Sequence, residues 1–169
     1  LFILVLATMM VPGEATIIAN YLTVSRWGWL DSFQALIIPY LTSAMGIFLM
    51  RQNYLTFSRE LHEAAQLDGC NNPRFMASIV VPLSRPALGA LGAYVFLNTW
   101  NQYMWPLLVT NSSNYRTVQI GISMLYDIDA ESLGLMMAGV VIVIVPSLSI
   151  FIFMQKQLIN GLMAGAVKG

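Results

Sequence analysis

Three uncharged apolar runs dominate the sequence and limit the folds that it can adopt. They extend over Phe33–Met50, Pro86–Trp105 and Leu133–Met154. A transmembrane helix needs about 20 consecutive, mainly apolar residues. Backbone polar groups in lipid must be paired within the segment that carries them, which favours helices. The runs therefore predict an all-α, polytopic membrane protein.

The composition supports a membrane protein rather than a soluble domain. Of the 169 residues, 57% are hydrophobic and 9% are charged, whereas soluble domains carry about 25% charged residues. The 8 basic and 8 acidic residues balance, and no basic run predicts a nucleic-acid partner. Cys70 is the single cysteine, which excludes an internal disulfide.

The chain begins inside an apolar run. Leu1–Val11 is too short to span a bilayer alone, so we expect the second half of a span and a chain that is truncated at its N-terminus. Pro12 and Gly13 are expected to break this run. A short interfacial helix is predicted around Ala15–Tyr21, close to the paired Trp27 and Trp29.

A polar loop, residues 52–85, separates the first two long runs and contains a predicted docking helix. Ser58 is a suitable N-cap, Glu60 lies in the first turn near the positive end of the helix dipole, and Gly69 supplies a left-handed stop. After the stop, Asn72 is the predicted cap of a second helix, with Pro73 at its first position.

The predicted docking helix has a distinctive face. Leu61, Ala64, Ala65 and Asp68 follow the i, i+3, i+4, i+7 spacing and share one side. Alanines on an exposed face allow a foreign backbone to approach closely, so this face predicts a docking surface. Asp68 is also placed to accept hydrogen bonds from local backbone amides.

The distribution of basic residues orients the chain in the membrane. Two arginines, Arg26 and Arg116, fall on the side opposite the loop. Six basic residues fall on the loop side: Arg51, Arg59, Arg74, Arg85, Lys156 and Lys168. Because positive charge is enriched on the cytoplasmic side, the loop at residues 52–85 is predicted to be cytoplasmic.

A second informative stretch lies near the outer end of the second full span. Four polar side chains there, Asn98, Asn101, Gln102 and Tyr103, are costly in lipid unless they face protein, water or a ligand. Aromatic rings beside amides suit sugar recognition, so these residues are a tentative substrate pathway. The alternative is an interfacial aromatic belt with hydrogen bonds between helices.

The spans predict a transporter that takes its energy from elsewhere. No ionisable residue lies clearly inside them, whereas ion-coupled carriers usually hold such residues or broken-helix sites at the midplane. The sequence has no phosphate-cradling glycine loop, so ATP hydrolysis and enzyme activity are not expected of this chain. A secondary carrier and a non-transporting membrane anchor remain as alternatives.

The loop carries a family resemblance. Glu63-Ala64-Ala65, Gly69, Ile79 and Pro82 resemble, at every offset, the signature loop of permease subunits of binding-protein-dependent ABC importers; Val81 stands where that family usually has leucine. The resemblance implies a cytoplasmic coupling helix that sits in a groove of an ATPase subunit. It implies ATPase contacts for Glu63, Ala64, Ala65, Asp68, Gly69 and Pro82.

The resemblance covers essentially the whole chain. Residues 100–107 resemble the corresponding span of carbohydrate-class permeases, and residues 161–169 resemble their C-terminal end, where Lys168 is a further possible ATPase contact. It implies one permease domain over residues 1–169 with about four of six spans, in the bacterial inner membrane. The substrate would be a sugar or glycerol-3-phosphate.

The resemblance also implies the partners. They are a homologous second permease, two ATP-binding subunits that use ATP and Mg²⁺, and an external solute-binding protein, with membrane lipid around the spans. This chain itself would bind no cofactor.

Overall fold

The computed structural model describes residues 2–128 and 133–166. Within these ranges the backbone forms helices and no strand, which confirms the predicted all-α class. The helices are, in order, α1 (Phe2–Thr8), α2 (Gly13–Arg26), α3 (Phe33–Ile37), α4 (Ala44–Tyr54), α5 (Arg59–Leu67), α6 (Asn72–Phe75), α7 (Val81–Leu83), α8 (Arg85–Trp100), α9 (Met104–Val109), α10 (Val118–Ile128) and α11 (Leu133–Ala166). A 3₁₀ turn, Ile38–Tyr40, follows α3, and a π-helical segment, Met76–Val80, joins α6 to α7.

One helix of the described residues is long and apolar enough to cross a membrane alone. It is the part of α11 from Leu133 to Gln155, with 23 residues. By length and composition, three bent pairs of helices also qualify if each is taken as one span, which gives up to 4 spans. They are α1 with α2, residues 33–40 with α4, and residues 72–83 with α8.

The apolar surface of α11 points away from its own chain. Only 6% of its most hydrophobic window is buried, and Ile142 and Phe153 are 68% and 80% exposed. An apolar surface of this extent needs lipid or neighbouring helices to cover it.

Proline explains the interruptions in the first half of the chain. Helices α1 and α2 meet at 95° beside Pro12, which confirms the predicted break, although α2 is longer than the predicted helix at Ala15–Tyr21. Pro39 lies in the 3₁₀ turn and interrupts the apolar run Phe33–Met50, which is therefore not one continuous helix. A proline has no amide hydrogen to donate to the helical ladder, and its ring clashes with the carbonyl of the preceding helical turn.

The prediction of a continuous span over Pro86–Trp105 is wrong. Helix α8 ends at Trp100 and α9 begins at Met104. Gln102 closes the end with a 3₁₀-type bond from its amide to the carbonyl of Thr99, at 3.2 Å. Because Pro106 has no amide hydrogen, it cannot donate to the Gln102 carbonyl, and the helical ladder is interrupted there.

The described chain divides into two compact units. The first comprises Leu1–Ala44 and Phe96–Ile150, and the second comprises Met45–Val95 and Phe151–Gly169. The first unit has a buried cluster of Val24, Ala35, Trp105 and Val109. The Trp105 side chain is 2% exposed, and its indole Nε1 donates to the Ala35 carbonyl at 3.0 Å.

Asp31 fastens the segment between α2 and α3 to the segment after α9. Its Oδ1 accepts from the backbone amides of Ser112 at 2.8 Å and Asn111 at 2.9 Å, and its own amide donates to the Val109 carbonyl at 2.7 Å. The backbone hydrogen bond from Ser112, then that from Asn111, lowers the pKa of the Asp31 carboxyl below its ordinary 3.8.

We expect the folded state to weaken in acid because of Asp31. A carboxyl whose folded-state pKa is lowered stabilises the fold above its unfolded pKa, here 3.8, and this stabilisation disappears as the pH falls through the folded value. Asp31→Asn keeps a residue that tolerates the left-handed φ of 56° but removes the charge. Thermal unfolding of the purified subunit between pH 3 and 7 measures this effect: the variant should lose the acid-sensitive part of the stability, and equal pH profiles would contradict the assignment.

Candidate functional site

Helix α5 begins and ends on the signals that the sequence predicts. The amide of Leu61 donates to Ser58 Oγ at 3.4 Å, which confirms the cap. Gly69 has φ +72°, which confirms the left-handed stop. The Gly69 amide donates to the Gln66 carbonyl at 3.0 Å and the Cys70 amide to the Ala65 carbonyl at 2.9 Å. These two bonds form a Schellman motif, so the helix stop is made by the backbone.

The inner side of α5 is set by packing within its own unit. Ala65 is 6% exposed, so the expectation that both alanines lie on an exposed face is wrong for Ala65. Leu61 and His62 are half-buried, and the His62 ring meets Phe75 edge to face, with centroids 4.8 Å apart. Ala65 therefore packs against its own unit and helps to seat the helix.

The outer side of α5 presents a small surface with two carboxylates and one leucine. Glu60, Glu63, Ala64 and Leu67 are all exposed, and we call these four residues the exposed face of α5. Leu67 is 90% exposed, the highest value among the large apolar side chains that the structure describes. Sequence reasoning missed Leu67, although an apolar residue directly before the helix stop is a signal for it.

Asp68 is the C-cap of α5 and is exposed. Its amide donates to the Ala64 carbonyl at 3.1 Å. The predicted hydrogen bonds from local amides to its carboxylate are not formed among the described residues. The carboxylate thus lies beside the exposed face of α5. The predicted contact Lys168 lies outside the described residues.

The return from α5 to the membrane is sharply bent. The N-cap of α6 is Asn71, whose side chain accepts from the Arg74 amide at 3.0 Å, so the prediction of Asn72 as the cap is wrong by one position. Residues 72–83 and α8 meet at 76°. Pro82 and Pro86 lie on either side of the bend, and each removes one helical amide donor.

A hydrogen bond joins the two ends of the loop at residues 52–85. Asn53, near the end of α4, donates from Nδ2 to Ser84 Oγ at 2.8 Å. Ser84 lies at the bend and is 0% exposed. Because its hydroxyl is shielded from water, this bond has no competing solvent partner on the serine side. It holds the loop containing α5 at its base.

We expect Ser84→Ala to lower the stability of the subunit, because it removes this hydrogen bond at the base of the loop. Removing one partner of a shielded hydrogen bond costs about 1–3 kcal/mol. Thermal unfolding of the purified subunit measures the loss, and Ser78→Ala, at an exposed position in the same loop, is the matched control. In a double-mutant cycle with Asn53→Ala the two losses should be less than additive; additive losses would show that the bond contributes nothing.

The first unit contains a cavity of about 250 Å³ near the predicted pathway residues. Its polar lining consists of Asn101, Gln119 and Ser147. Its apolar lining consists of Ile122, Val140, Val143 and Ile144. Among the described residues, no charged side chain belongs to this lining.

The structure separates the four predicted pathway residues. Asn101 lines the cavity. Gln102 is half-buried, and its amide closes the end of α8. Asn98 lies on α8, and Tyr103 is 39% exposed. Sequence reasoning missed Gln119 and Ser147, which are distant in the sequence from the aromatic stretch and lie beside Asn101 only in the fold.

Two hydrogen bonds fix the wall of the cavity. The Trp100 indole donates to the Val143 carbonyl at 3.1 Å, and Gln119 Nε2 donates to the Trp100 carbonyl at 3.0 Å. These bonds connect α8, α10 and α11. Among the described residues, no three His, Cys, Asp or Glu side chains are grouped to hold a metal ion.

Comparison with known proteins matches nearly the whole chain. Residues 1–158 fit the profile of a family described as binding-protein-dependent transport system inner membrane component. The chain is 36% identical, over 100% of its length, to the arabinooligosaccharides transport system permease protein AraQ of Bacillus subtilis. It is also 36% identical, over 95% of its length, to the sn-glycerol-3-phosphate transport system permease protein UgpE of Rhizobium meliloti.

The chain is shorter than these relatives. It spans 60% of the length of the arabinooligosaccharide permease and 58% of the glycerol-3-phosphate permease.

Proposed function

Because the chain belongs to the family of binding-protein-dependent transport system inner membrane components, we propose that it is a permease subunit of an ATP-driven solute importer. As a member of this family it is a protein of the bacterial inner membrane. In this proposal residues 1–169 are one permease domain, and the loop at residues 52–85 is its cytoplasmic coupling loop.

The observation that carries the proposal is the exposed face of α5. It is a short helix, fixed at both ends, with an outward leucine that is 90% exposed. An uncovered leucine beside two carboxylates matches a partner groove with an apolar floor and a basic rim. In an importer this partner is one of two ATPase subunits, which bind ATP and Mg²⁺, while this chain binds neither.

The remaining partners follow from the same proposal. A homologous permease covers the apolar surface of α11 that its own chain leaves open, and an external binding protein delivers the solute. Closure of the ATPase pair displaces α5 as a rigid body. The shielded hydrogen bond from Asn53 to Ser84 holds the base of the loop during this movement. The bend at Pro82 transmits the displacement of α5 to α8.

The residues proposed for coupling to the ATPase form two groups, one exposed and one that shapes the loop. Glu63, Ala64, Leu67 and Asp68 are exposed and are proposed to touch the partner. Ala65, Gly69 and Pro82 are proposed to act on the shape of the loop: Ala65 seats the helix, Gly69 stops it, and Pro82 bends the return.

The substrate class comes from the relatives. They are permeases of arabinooligosaccharide and sn-glycerol-3-phosphate transport systems, so a sugar or glycerol-3-phosphate is the proposed solute. Asn98, Asn101, Gln102 and Tyr103 remain the proposed pathway region in the first unit.

A photo-crosslinking experiment tests the ATPase contact. In full-length subunit with Cys70→Ser, a single cysteine at Leu67 is labelled with a maleimide–benzophenone reagent in membranes that contain the assembled importer. The probe crosslinks to any neighbouring C–H bond, so no partner residue need be known. We expect a crosslink to the ATPase subunit whose yield changes when ATP is added.

The chain offers a matched control for this experiment. A cysteine at Ala65, two residues away but 6% exposed, should be labelled poorly and give no crosslink to the ATPase. If neither position crosslinks although the subunit is inserted, or if Ala65 crosslinks as well as Leu67, the proposed docking surface is overturned.

A further inference from the structure

The cavity in the first unit has a lining that selects among the substrate classes of the relatives. Three polar side chains, Asn101, Gln119 and Ser147, are set among four aliphatic ones. The mixture of amides, a hydroxyl and apolar surface is typical of a site in which a few polar groups orient a ligand. The alternatives are a neutral polyhydroxyl solute, a phosphorylated solute and water alone.

The hydrogen bonds of the two amides leave their oxygens available. Asn101 Nδ2 donates to the Leu97 carbonyl at 2.8 Å, and Gln119 Nε2 donates to the Trp100 carbonyl at 3.0 Å. Among the described residues neither side-chain oxygen accepts a hydrogen bond. Both amides are therefore held with an acceptor oxygen that is free to take an O–H donor.

Ser147 completes the set with a group that both donates and accepts. It is half-buried and follows Pro146 in α11. Pro146 has no amide hydrogen, so the helical ladder lacks one bond beside Ser147. A sugar hydroxyl donates and accepts at the same oxygen, and the two amide oxygens with the serine hydroxyl offer both functions.

The depth of the cavity along α11 bears on why polar side chains line it. Counted from Leu133, where the candidate span of α11 begins, Val140 and Ser147 are about 10 and 21 Å along the helix at 1.5 Å per residue; a hydrocarbon core is about 30 Å thick. Polar groups at this depth are costly unless they face protein, water or a transported ligand.

The charge of the lining and the volume of the cavity limit which ligand the cavity can bind. A phosphate is normally held by arginine, lysine or backbone amides, and the part of the lining that the structure describes contains no charged side chain. The volume of about 250 Å³ lies below the range of about 300–1,000 Å³ that is usual for drug-sized ligands. This volume is compatible with one sugar ring in the cavity.

We propose that Asn101, Gln119 and Ser147 form a subsite on the translocation pathway that binds one uncharged sugar ring through its hydroxyl groups. This inference rests on the proposed importer function. It assigns solute contact to this subunit, adds Gln119 and Ser147 to the pathway, and favours a neutral sugar over glycerol-3-phosphate.

Cysteine protection tests the subsite in the full-length subunit, assembled with its partners in proteoliposomes. In the Cys70→Ser background, Ser147→Cys is exposed from outside to a membrane-impermeant thiol reagent during turnover with ATP. We expect labelling that arabinotriose slows by about tenfold when about 90% of the sites are occupied, and that sn-glycerol-3-phosphate leaves unchanged. Ser149→Cys, on the same helix but outside the lining, is the matched control and should show no protection.

Uptake by the wild-type assembly separates the two proposals. Import of neither sn-glycerol-3-phosphate nor any sugar in a panel that includes arabinotriose would overturn the proposed substrate class itself. Import of arabinotriose without protection at Ser147→Cys would leave a water-filled cavity and overturn the subsite. If sn-glycerol-3-phosphate alone protects Ser147→Cys, or if it alone is imported, the proposed selectivity for a neutral sugar is overturned. If Ser147→Cys fails to insert, Ile144→Cys reports on the same cavity with the same outcomes.

Discussion

Gly69→Val is expected to abolish most solute uptake while leaving the subunit inserted in the membrane. Gly69 has φ +72°, and the left-handed backbone costs an L-residue about 1–2 kcal/mol, with a β-branched residue a clear outlier. Since 1.4 kcal/mol is about tenfold in an equilibrium, the helix stop should form about 5- to 30-fold less often. ATP-dependent uptake into proteoliposomes measures the effect.

Gly69→Asn is the matched control, because asparagine tolerates the left-handed region. No atom lies within 4 Å of a Cβ added at Gly69, so either side chain fits the subunit itself. We expect asparagine to retain most of the uptake. Equal loss in both variants would contradict the backbone explanation and show that the partner contacts Gly69 too closely for any side chain.

Trp105→Ala is expected to have the largest effect on stability. The indole is 2% exposed, packs with Val24, Ala35 and Val109, and donates to the Ala35 carbonyl at 3.0 Å. Truncation of a buried tryptophan to alanine costs about 3–5 kcal/mol. Such a loss is a large fraction of the stability of a small protein, so little folded subunit should remain in detergent.

Trp27→Ala separates this core effect from a general effect of losing an indole. Trp27 is 59% exposed, and exposed substitutions usually change stability by less than about 0.5 kcal/mol. Trp105→Phe should lie between the two, since it keeps a ring but leaves the Ala35 carbonyl without its donor. Equal melting temperatures for Trp27→Ala and Trp105→Ala would show that the cluster does not stabilise the first unit.

Features encoded by neighbouring residues were predictable from the sequence. The cap at Ser58 and the stop at Gly69 depend on side-chain chemistry and φ preferences within one helix, and both were predicted correctly. The breaks beside Pro12 and Pro39 follow from the missing amide hydrogen of proline. The all-α class followed from uncharged apolar runs, because backbone groups in lipid must be paired within a helix.

Features that depend on distant contacts were not predictable. The burial of Ala65 is decided by the packing of the loop around α5, which helical periodicity alone does not specify. Helix α10 follows a polar run, and its connection to α8 depends on the hydrogen bond from Gln119 to the distant Trp100. The cavity joins Asn101, Gln119 and Ser147 from three helices, and no local pattern connects them.

The backbone-made stop of α5 has a consequence for how such loops diverge. The two bonds of the Schellman motif run from the amides of Gly69 and Cys70 to the carbonyls of Gln66 and Ala65. No side chain takes part, so the helix keeps its length when residues 66, 67, 68 and 70 are exchanged. Outward side chains such as Leu67 can therefore change in sequence while the geometry of the helix end stays the same.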